Sequence, residues 1–443
     1  MNKTYNLWTS GCQMNISDSQ RVGSELEKLG YRYIDSHREA DVVVINTCVV
    51  RQSAEDRATG FIWWLKPLKK DNPHKIFALM GCLVGVKGND QLKKTFPHID
   101  VLMPPSNPMP LINYILNKEE AWLASKSIEK RYALQDGDLI LPLHEQYNLI
   151  ATHVPIVYGC SYMCSYCVIP YRRGIERSRP VDEIVFEVRS LVKQGVKEVT
   201  LLGQIVDRYG YDISDEVRLA DLLQKVHDID GLERIRFLTS HPNYMTDAIL
   251  HAVAYLPKVC QHIEIPIQSG DDEILKQMRR NYTADDYRRL IHRIREYLPN
   301  SNIATDVIVG FPGETVEQFQ RTIDVLESLK MDVCHVAMYS PRPNTVSAKT
   351  MPDDVPAKEK KRRLDVVNQL QQEIVAEINK GYEGQTVEVL VEEKHNGKWK
   401  GRTRTNKLVF FEDEHDFKGQ LVKVRIEWAG PWSMRGLVCP SEL

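Results

Sequence analysis

The sequence predicts an α/β protein in three parts: an N-terminal parallel α/β domain carrying three cysteines, a partial (βα)6 barrel, and a small antiparallel β-barrel at the C-terminal end. Three observations predict it. Short apolar runs alternate with amphipathic helical stretches from Tyr5 to Met338. Cys12, Cys48 and Cys82 each fall just past the end of such a run. From Glu383 onward the texture changes to Val-, Thr- and Gly-rich segments with turn residues between them.

Taken in order, residues 5–8 read as a strand ending at Gly11-Cys12-Gln13-Met14-Asn15, followed by a helix over 17–29 with Ser17 or Asp18 as its cap. Residues 42–45 are a buried strand ending at Asn46-Thr47-Cys48, with a helix over 53–65 behind it. Residues 76–80 are a third strand, ending at Gly81-Cys82. In a parallel sheet with helical crossovers those strand ends share one edge, so the three cysteines converge despite their distance in sequence. This domain spans 1–117, with a further helix over 111–116, and 118–145 is a linker. Strands then fall at 154–157, 198–202, 234–238, 261–266, 303–309 and 333–338, with helices at 181–194, 271–278, 284–297 and 315–329. These make the second domain, 146–378, whose site faces the C-terminal ends of its strands. A helix over 357–380 follows, and strands at 386–392, 407–411, 419–428 and 435–438 build the third domain, 381–443.

Composition narrows the class. A chain of 443 residues with 42% hydrophobic and 27% charged residues is globular and too long for one ordinary domain. Its formal net charge of -2 gives no basic-protein signal, so a nucleic-acid partner must be met by a local patch. Nine cysteines, an odd number spread through a long chain, point to a reducing compartment and metal ligation rather than disulfides. No signal-peptide pattern and no membrane-spanning apolar run is present, so the expected address is cytoplasmic with no membrane partner.

The chemistry centres on Cys160, Cys164 and Cys167, a C-x-x-x-C-x-x-C run entered through Gly159. A structural zinc site wants four protein ligands, and no fourth Cys or His lies nearby. Three thiolates holding a 4Fe-4S cluster leave one iron open to a ligand. Cys12, Cys48 and Cys82 form a second such set, whereas Cys260 and Cys334 read as small core residues and Cys439 lies near the end of the chain. Several strand ends of the second domain are polar or Gly-rich: Leu201-Leu202-Gly203-Gln204, Ser240-His241-Pro242, Gln268-Ser269-Gly270, and Ile308-Val309-Gly310-Phe311-Pro312-Gly313-Glu314. His153, His241 and His335 read as satisfied histidines. Arg172, Arg173, Arg177 and Arg179 fit a solvated basic segment or phosphate contacts. In the last domain Lys398, Lys400, Arg402, Arg404 and Lys407 interleave cations with Trp399 and no acid.

On these residues the chain resembles the radical S-adenosylmethionine (SAM) superfamily in its cysteine loop, and a TRAM domain, an RNA-binding barrel, in Gly401-Arg402-Thr403-Arg404-Thr405-Asn406-Lys407 with Trp432-Ser433-Met434-Arg435-Gly436. The whole order of parts resembles the methylthiotransferases. Gly11-Cys12-Gln13-Met14-Asn15, Asn46-Thr47-Cys48-Val49-Val50-Arg51, Cys164-Ser165-Tyr166-Cys167-Val168-Ile169-Pro170-Tyr171, Arg177-Ser178-Arg179-Pro180 and Tyr339-Ser340-Pro341-Arg342-Pro343 look most like the MiaB type. That type methylthiolates C2 of N6-dimethylallyladenosine at position 37 of tRNA; the RimO type, acting on a ribosomal-protein aspartate, and the MtaB type, acting on threonylcarbamoyl-adenosine, are the alternatives. Gln13 stands where those two typically carry Lys. A two-cluster electron-transfer protein is a more distant alternative, with no use for the Gly310 loop or an RNA module.

The resemblance implies two 4Fe-4S clusters and SAM as cofactors. The cluster on Cys160, Cys164 and Cys167 would cleave SAM to a 5'-deoxyadenosyl radical, and an auxiliary cluster on Cys12, Cys48 and Cys82 would offer sulfur methylated by a separate SAM. Gly203, Gln204, Ile308 and Gly310 would contact SAM, and Lys398, Lys400, Arg402, Arg404 and Lys407 would contact the tRNA anticodon arm. A low-potential electron donor and an iron-sulfur carrier for cluster repair are the further partners implied, acting on a monomer. The chain departs from the MiaB pattern at Ile205 and Asp207, where that type usually has Asn.

Overall fold

The computed structural model describes residues 3–50, 52–87, 89–118, 141–213 and 216–439. Most of the linker expected over 118–145 lies outside the described residues. The chain divides into two compact units: Met1–Leu149, His153–Tyr162 and Val168–Gly195 form one, and Ile150–Thr152, Met163–Cys167 and Val196–Leu443 the other. Residues 168–195, expected with the partial barrel, therefore pack with the N-terminal sheet. Val168 lies in that sheet's core, and Arg21 and Arg179 share Glu187 at 2.7 Å each.

In the first unit β1 (Thr4–Thr9), β2 (Arg32–Tyr33), β3 (Val42–Thr47), β4 (Ile76–Gly81) and β5 (Val101–Met103) form a parallel sheet in the order β2-β1-β3-β4-β5. The run of β-branched and apolar residues in β3 and β4 buries both faces, as a doubly covered parallel strand requires. Val42, Val44, Ala78 and Met80 pack on one side with Val22 and Leu26 of the helix Gln13–Lys28 and Leu111, Ile112 and Ile115 of the helix Met109–Lys118. Val43, Ile45, Phe77 and Leu79 pack on the other with Ile62 and Leu65 of the helix Gln52–Asp71. The first helix begins four residues earlier than its sequence predicts. Cys12 is its N-cap, and Ser17 and Asp18 are buried within it rather than capping it. The short β2 and β5 carry too few residues for an alternation to show in the sequence. A two-stranded antiparallel ribbon, β7 (Val157–Tyr158) with β8 (Arg177–Ser178), brackets the cysteine loop.

In the second unit β9 (Glu198–Leu202) and β10 (Arg234–Leu238) pair in parallel, with the start of β6 (Ala151–Pro155) at the free edge of β9. There the Ile150 carbonyl accepts from the amides of Lys197 and Glu198 at 2.8 and 3.0 Å. β11 (His262–Glu264), β12 (Asn302–Val309) and β13 (Val333–Met338) form a second parallel sheet. Bonds from Ile235 N to Lys258 O, Cys260 N to Ile235 O and Ser240 N to Glu264 O stitch β10 to β11, giving one open, barrel-like succession of strands. The helices Leu219–His227 and Asp247–Tyr255 add to those expected. The helix Ala357–Lys380 has the bounds its sequence predicts. After it β14 (Thr386–His395), β15 (Lys398–Thr403), β16 (Leu408–Phe411), β17 (Leu421–Ala429) and β18 (Met434–Val438) close into a barrel around Val389, Val391, Trp399, Val409, Phe411, Val424 and Ile426. Among the described residues no helix is long and apolar enough to cross a membrane.

Candidate metal centres

Cys12, Cys48 and Cys82 stand at the C-terminal ends of β1, β3 and β4, three neighbouring strands of one parallel sheet. The cysteine loops touch: a Cβ added to Gly11, at φ +140, would lie 2.6 Å from the Cys48 Cβ. Cys12 is exposed, whereas Cys48 and Cys82 are buried. Cys12 is the N-cap of its helix. Its Sγ lies 3.6 Å from Asn15 Oδ1, and the Val50 amide donates to Cys48 Sγ at 3.4 Å. Burial pushes the Cys82 thiol up to about 11, with Cys48 and Cys12 adding to the rise and Arg173 opposing it. Three thiols gathered at one sheet edge suit a cationic cluster, which would remove their protons on binding.

Arg173 is the neighbour that sequence reasoning missed. Its sequence context groups it with basic residues suited to solvent or phosphate, yet it is 6% exposed. Its Nε donates to Cys82 Sγ at 3.3 Å and one terminal nitrogen to Asn15 Oδ1 at 2.9 Å, while Asp18 Oδ2 lies 3.5 Å away. Of the other three arginines, Arg179 is held by Glu187, Arg172 is half-buried with a bond to Leu83 O at 3.4 Å, and Arg177 is exposed.

The second set divides between the two units. In the first, Cys160 donates its amide to Gly174 O at 3.0 Å. In the second, the Cys167 amide bonds Cys164 O at 3.1 Å, and Ser165, fully buried, is fixed by its Oγ to Gln277 O at 2.7 Å and its amide to Met278 O at 3.1 Å. Arg280, 5% exposed, points a terminal nitrogen at Cys164 Sγ, 3.5 Å away, and is held by Tyr282 Oη at 2.9 Å and Pro266 O at 3.2 Å. No sequence spacing links Arg280 to this loop; only the fold brings it there. Among the described residues no three His, Cys, Asp or Glu side chains are drawn together tightly enough to grip a single ion.

Of the residues expected to contact SAM, Gly203 and Gln204 follow β9 directly, buried and half-buried. The Ile308 amide already donates to Gln268 O at 3.0 Å. Gly310, at φ +68, lies against Lys360, whose Cγ would be 2.4 Å from an added Cβ. Its amide donates to Glu314 at 2.6 Å, and Glu314 is paired with Arg363 at 2.7 Å, both buried.

Family models match this chain in three places: the radical SAM superfamily over residues 154–326, the uncharacterized protein family UPF0004 over 4–104 and the TRAM domain over 380–438. A tRNA-2-methylthio-N(6)-dimethylallyladenosine synthase of Roseiflexus sp. (strain RS-1) is 45% identical over 99% of this chain and 90% of its own length. The synthase of the same name from Thermoanaerobacter pseudethanolicus is 40% identical over 98% and 92%. The chain belongs to the tRNA-2-methylthio-N(6)-dimethylallyladenosine synthase family. In fold, it is similar to the radical SAM methyltransferase TsrM of Kitasatospora setae, solved with cobalamin and a [4Fe-4S] cluster bound, with TM-score 0.53 at 15% identity over 79% of this chain and 77% of that one. As a radical SAM enzyme of this family it is a transferase that works with an iron-sulfur cluster and SAM.

In the TRAM barrel of this synthase-family chain, the residues expected to contact RNA have partners within the fold. Lys407 is buried and paired with Asp332 at 2.8 Å. Arg404 donates to Val259 O at 2.8 Å. The turn between them is clamped from below: Arg234 donates to Arg402 O at 2.6 Å and pairs with Glu388 at 3.0 Å, and Arg236 donates to Thr403 O and Arg404 O at 2.8 and 2.9 Å while pairing with Glu198 at 2.7 Å. Glu198, Arg234, Val259 and Asp332 all lie at or before the N-terminal starts of their strands. The turn therefore fastens the TRAM barrel to the end of the parallel strands opposite the Cys164 loop. Lys398, Lys400 and Arg402 remain half-buried at the surface, each with an acid: Glu412 at 2.7 Å, Glu393 at 2.8 Å and Glu392 at 3.4 Å.

Proposed function

We propose that this chain methylthiolates C2 of N6-dimethylallyladenosine at position 37 of tRNA, using two 4Fe-4S clusters held by Cys12, Cys48, Cys82 and by Cys160, Cys164, Cys167. The observation that carries the reading is the gathering of Cys12, Cys48 and Cys82 at one sheet edge in a chain that also has the C-x-x-x-C-x-x-C loop. The C2–H bond of an adenine is unactivated, beyond the reach of side-chain acids and bases; bound clusters and SAM supply the radical chemistry and the sulfur that such a substitution needs. The chain's own residues shape the two sites. Cys12 presents its sulfur at a helix N-terminus and from an exposed position, fitting it to the side of the site that substrate reaches. Arg173 and Arg280 each place one buried guanidinium against one cluster cysteine.

The tRNA is met by the outer face of β17 and β18. Lys423, Arg425 and Arg435 are exposed there beside Trp428 and Trp432, and the Arg435 guanidinium lies 4.6 Å over the Trp428 ring. Cations that neutralise phosphates, next to rings that stack on bases, are the elements of sequence-tolerant RNA contact. The enzyme acts in the cytoplasm as a monomer, served by a low-potential electron donor and an iron-sulfur carrier. The test is anaerobic turnover of the reconstituted protein with SAM, a reductant and tRNA bearing N6-dimethylallyladenosine, followed by nucleoside mass analysis. The methylthio nucleoside is expected. A product only on a ribosomal-protein aspartate, or on threonylcarbamoyl-adenosine tRNA, would overturn the substrate assignment.

A further inference from the structure

Arg173 does work that the family's cysteine pattern does not describe. Three thiolates gathered at a largely buried sheet edge carry a net negative charge even when a 4Fe-4S cluster is bound, and each added electron makes the charge worse. A buried cation in hydrogen-bond contact with a ligand sulfur offsets that charge, and it does so most for the reduced form. Arg173 meets this description. Its guanidinium reaches Cys82 Sγ, Asn15 Oδ1, Asp18 Oδ2 and Ser106 Oγ, the last at 3.4 Å, and so is fixed on every side. Asn15 in turn is fully buried, receives the Cys12 thiol, and holds Ser10 O through its own amide at 3.1 Å. One guanidinium thus bonds one cysteine directly and a second through Asn15.

Resting on the two-cluster reading above, we propose that Arg173 is the counter-charge of the N-terminal cluster, a positioning residue that raises its reduction potential and orients Cys82 and Asn15 around it. The residue follows the Cys160, Cys164 and Cys167 loop closely in sequence, so the segment that leaves one three-cysteine set supplies the charge partner of the other.

The experiment uses the full chain with Cys160, Cys164 and Cys167 replaced by Ala, leaving one cluster, and compares Arg173 with Arg173→Lys and Arg173→Met. Iron per chain, thermal unfolding and an EPR-monitored redox titration are measured after anaerobic reconstitution. The parent should hold about four irons. In Arg173→Met the reduced-to-oxidised ratio at fixed potential should fall at least tenfold, equivalent to about 59 mV for one electron. Arg173→Lys, which keeps the charge but not the planar fork, should recover much of it. Loss of iron in Arg173→Met that Arg173→Lys restores also supports the proposal. An unchanged potential with iron retained in Arg173→Met overturns it, as does equal loss of iron and of the unfolding transition in both variants, which would make Arg173 a packing residue. A parent that holds no iron would sink the two-cluster reading itself.

Discussion

Asp207 stands where the resemblance leads one to expect Asn, in the 3-10 turn Val206–Arg208 just after β9. It is 2% exposed, and both carboxyl oxygens face the His241 amide, at 2.9 and 3.1 Å. Burial lifts its pKa to about 8, against the pull of those bonds and of Arg208 and Arg280. Near neutral pH the folded protein therefore holds a neutral carboxyl there, close in shape to the amide it replaces. The linkage has a definite sign. An acid with a raised folded pKa binds more protons folded than unfolded between about pH 4 and pH 8, so stability falls as pH rises through that window. Asp207→Asn removes the term. The variant should be more stable than the parent at pH 8, by on the order of a few kcal/mol, and unfold at a higher temperature there, with the gap closing toward pH 4. Equal pH profiles in parallel melts would show that Asp207 is ionised and solvated in the native state.

At the scale of elements, the TRAM barrel separates two groups of cations that look alike in sequence. Lys407 belongs to the clamped turn, whereas Arg425 and Arg435 alternate outward from β17 and β18 while Val424, Ile426 and Met434 point inward. Arg425→Ala with Arg435→Ala should weaken tRNA binding and flatten its salt dependence, by about 2 in the slope of log K against log salt, without lowering the unfolding temperature. Lys407→Ala leaves Asp332 unpaired and buried and should cost roughly 3 kcal/mol of stability with the salt slope unchanged. Titrations of both variants at several salt concentrations, beside thermal melts, distinguish the two; a lost salt slope in Lys407→Ala would return the contact to the turn. The sequence made β3, β4, β12 and the helix Ala357–Lys380 legible because their apolar periods run long enough to read. It hid β15, whose Lys-Trp-Lys-Gly-Arg-Thr alternates cations outward with Trp399, Gly401 and Thr403 buried, so that the charge run masked the strand. It could not show which cations turn inward, because Arg234, Arg236 and Arg173 carry no local mark of the distant acids, carbonyls and sulfur that receive them.

For the whole molecule, the six cysteines read as two sets because strand ends of a parallel sheet share an edge, and because three cysteines lie within one short loop. The remaining three have other surroundings: Cys260 is fully buried beside Arg236 and Cys334 is buried in β13, while Cys439 lies past β18. Burial raises the Cys260 thiol and pushes that of Cys334 up to about 12. On the proposed reading, two sets of three thiolates set the metal content. Anaerobic reconstitution should load about eight irons per chain, and replacing either Cys12, Cys48 and Cys82 or Cys160, Cys164 and Cys167 by Ala should leave about four. The two losses should be independent, since no cysteine serves both sets. Replacement of Cys260 and Cys334 should change stability by the small amount expected of a trimmed core and leave the iron count intact. If one triple variant emptied both sites, the sets would be interdependent and the division into a radical-generating and a sulfur-donating centre would fail. If the N-terminal variant kept all the iron of the parent, Cys12, Cys48 and Cys82 would be structural thiols and sulfur would have to reach the adenosine from outside the chain.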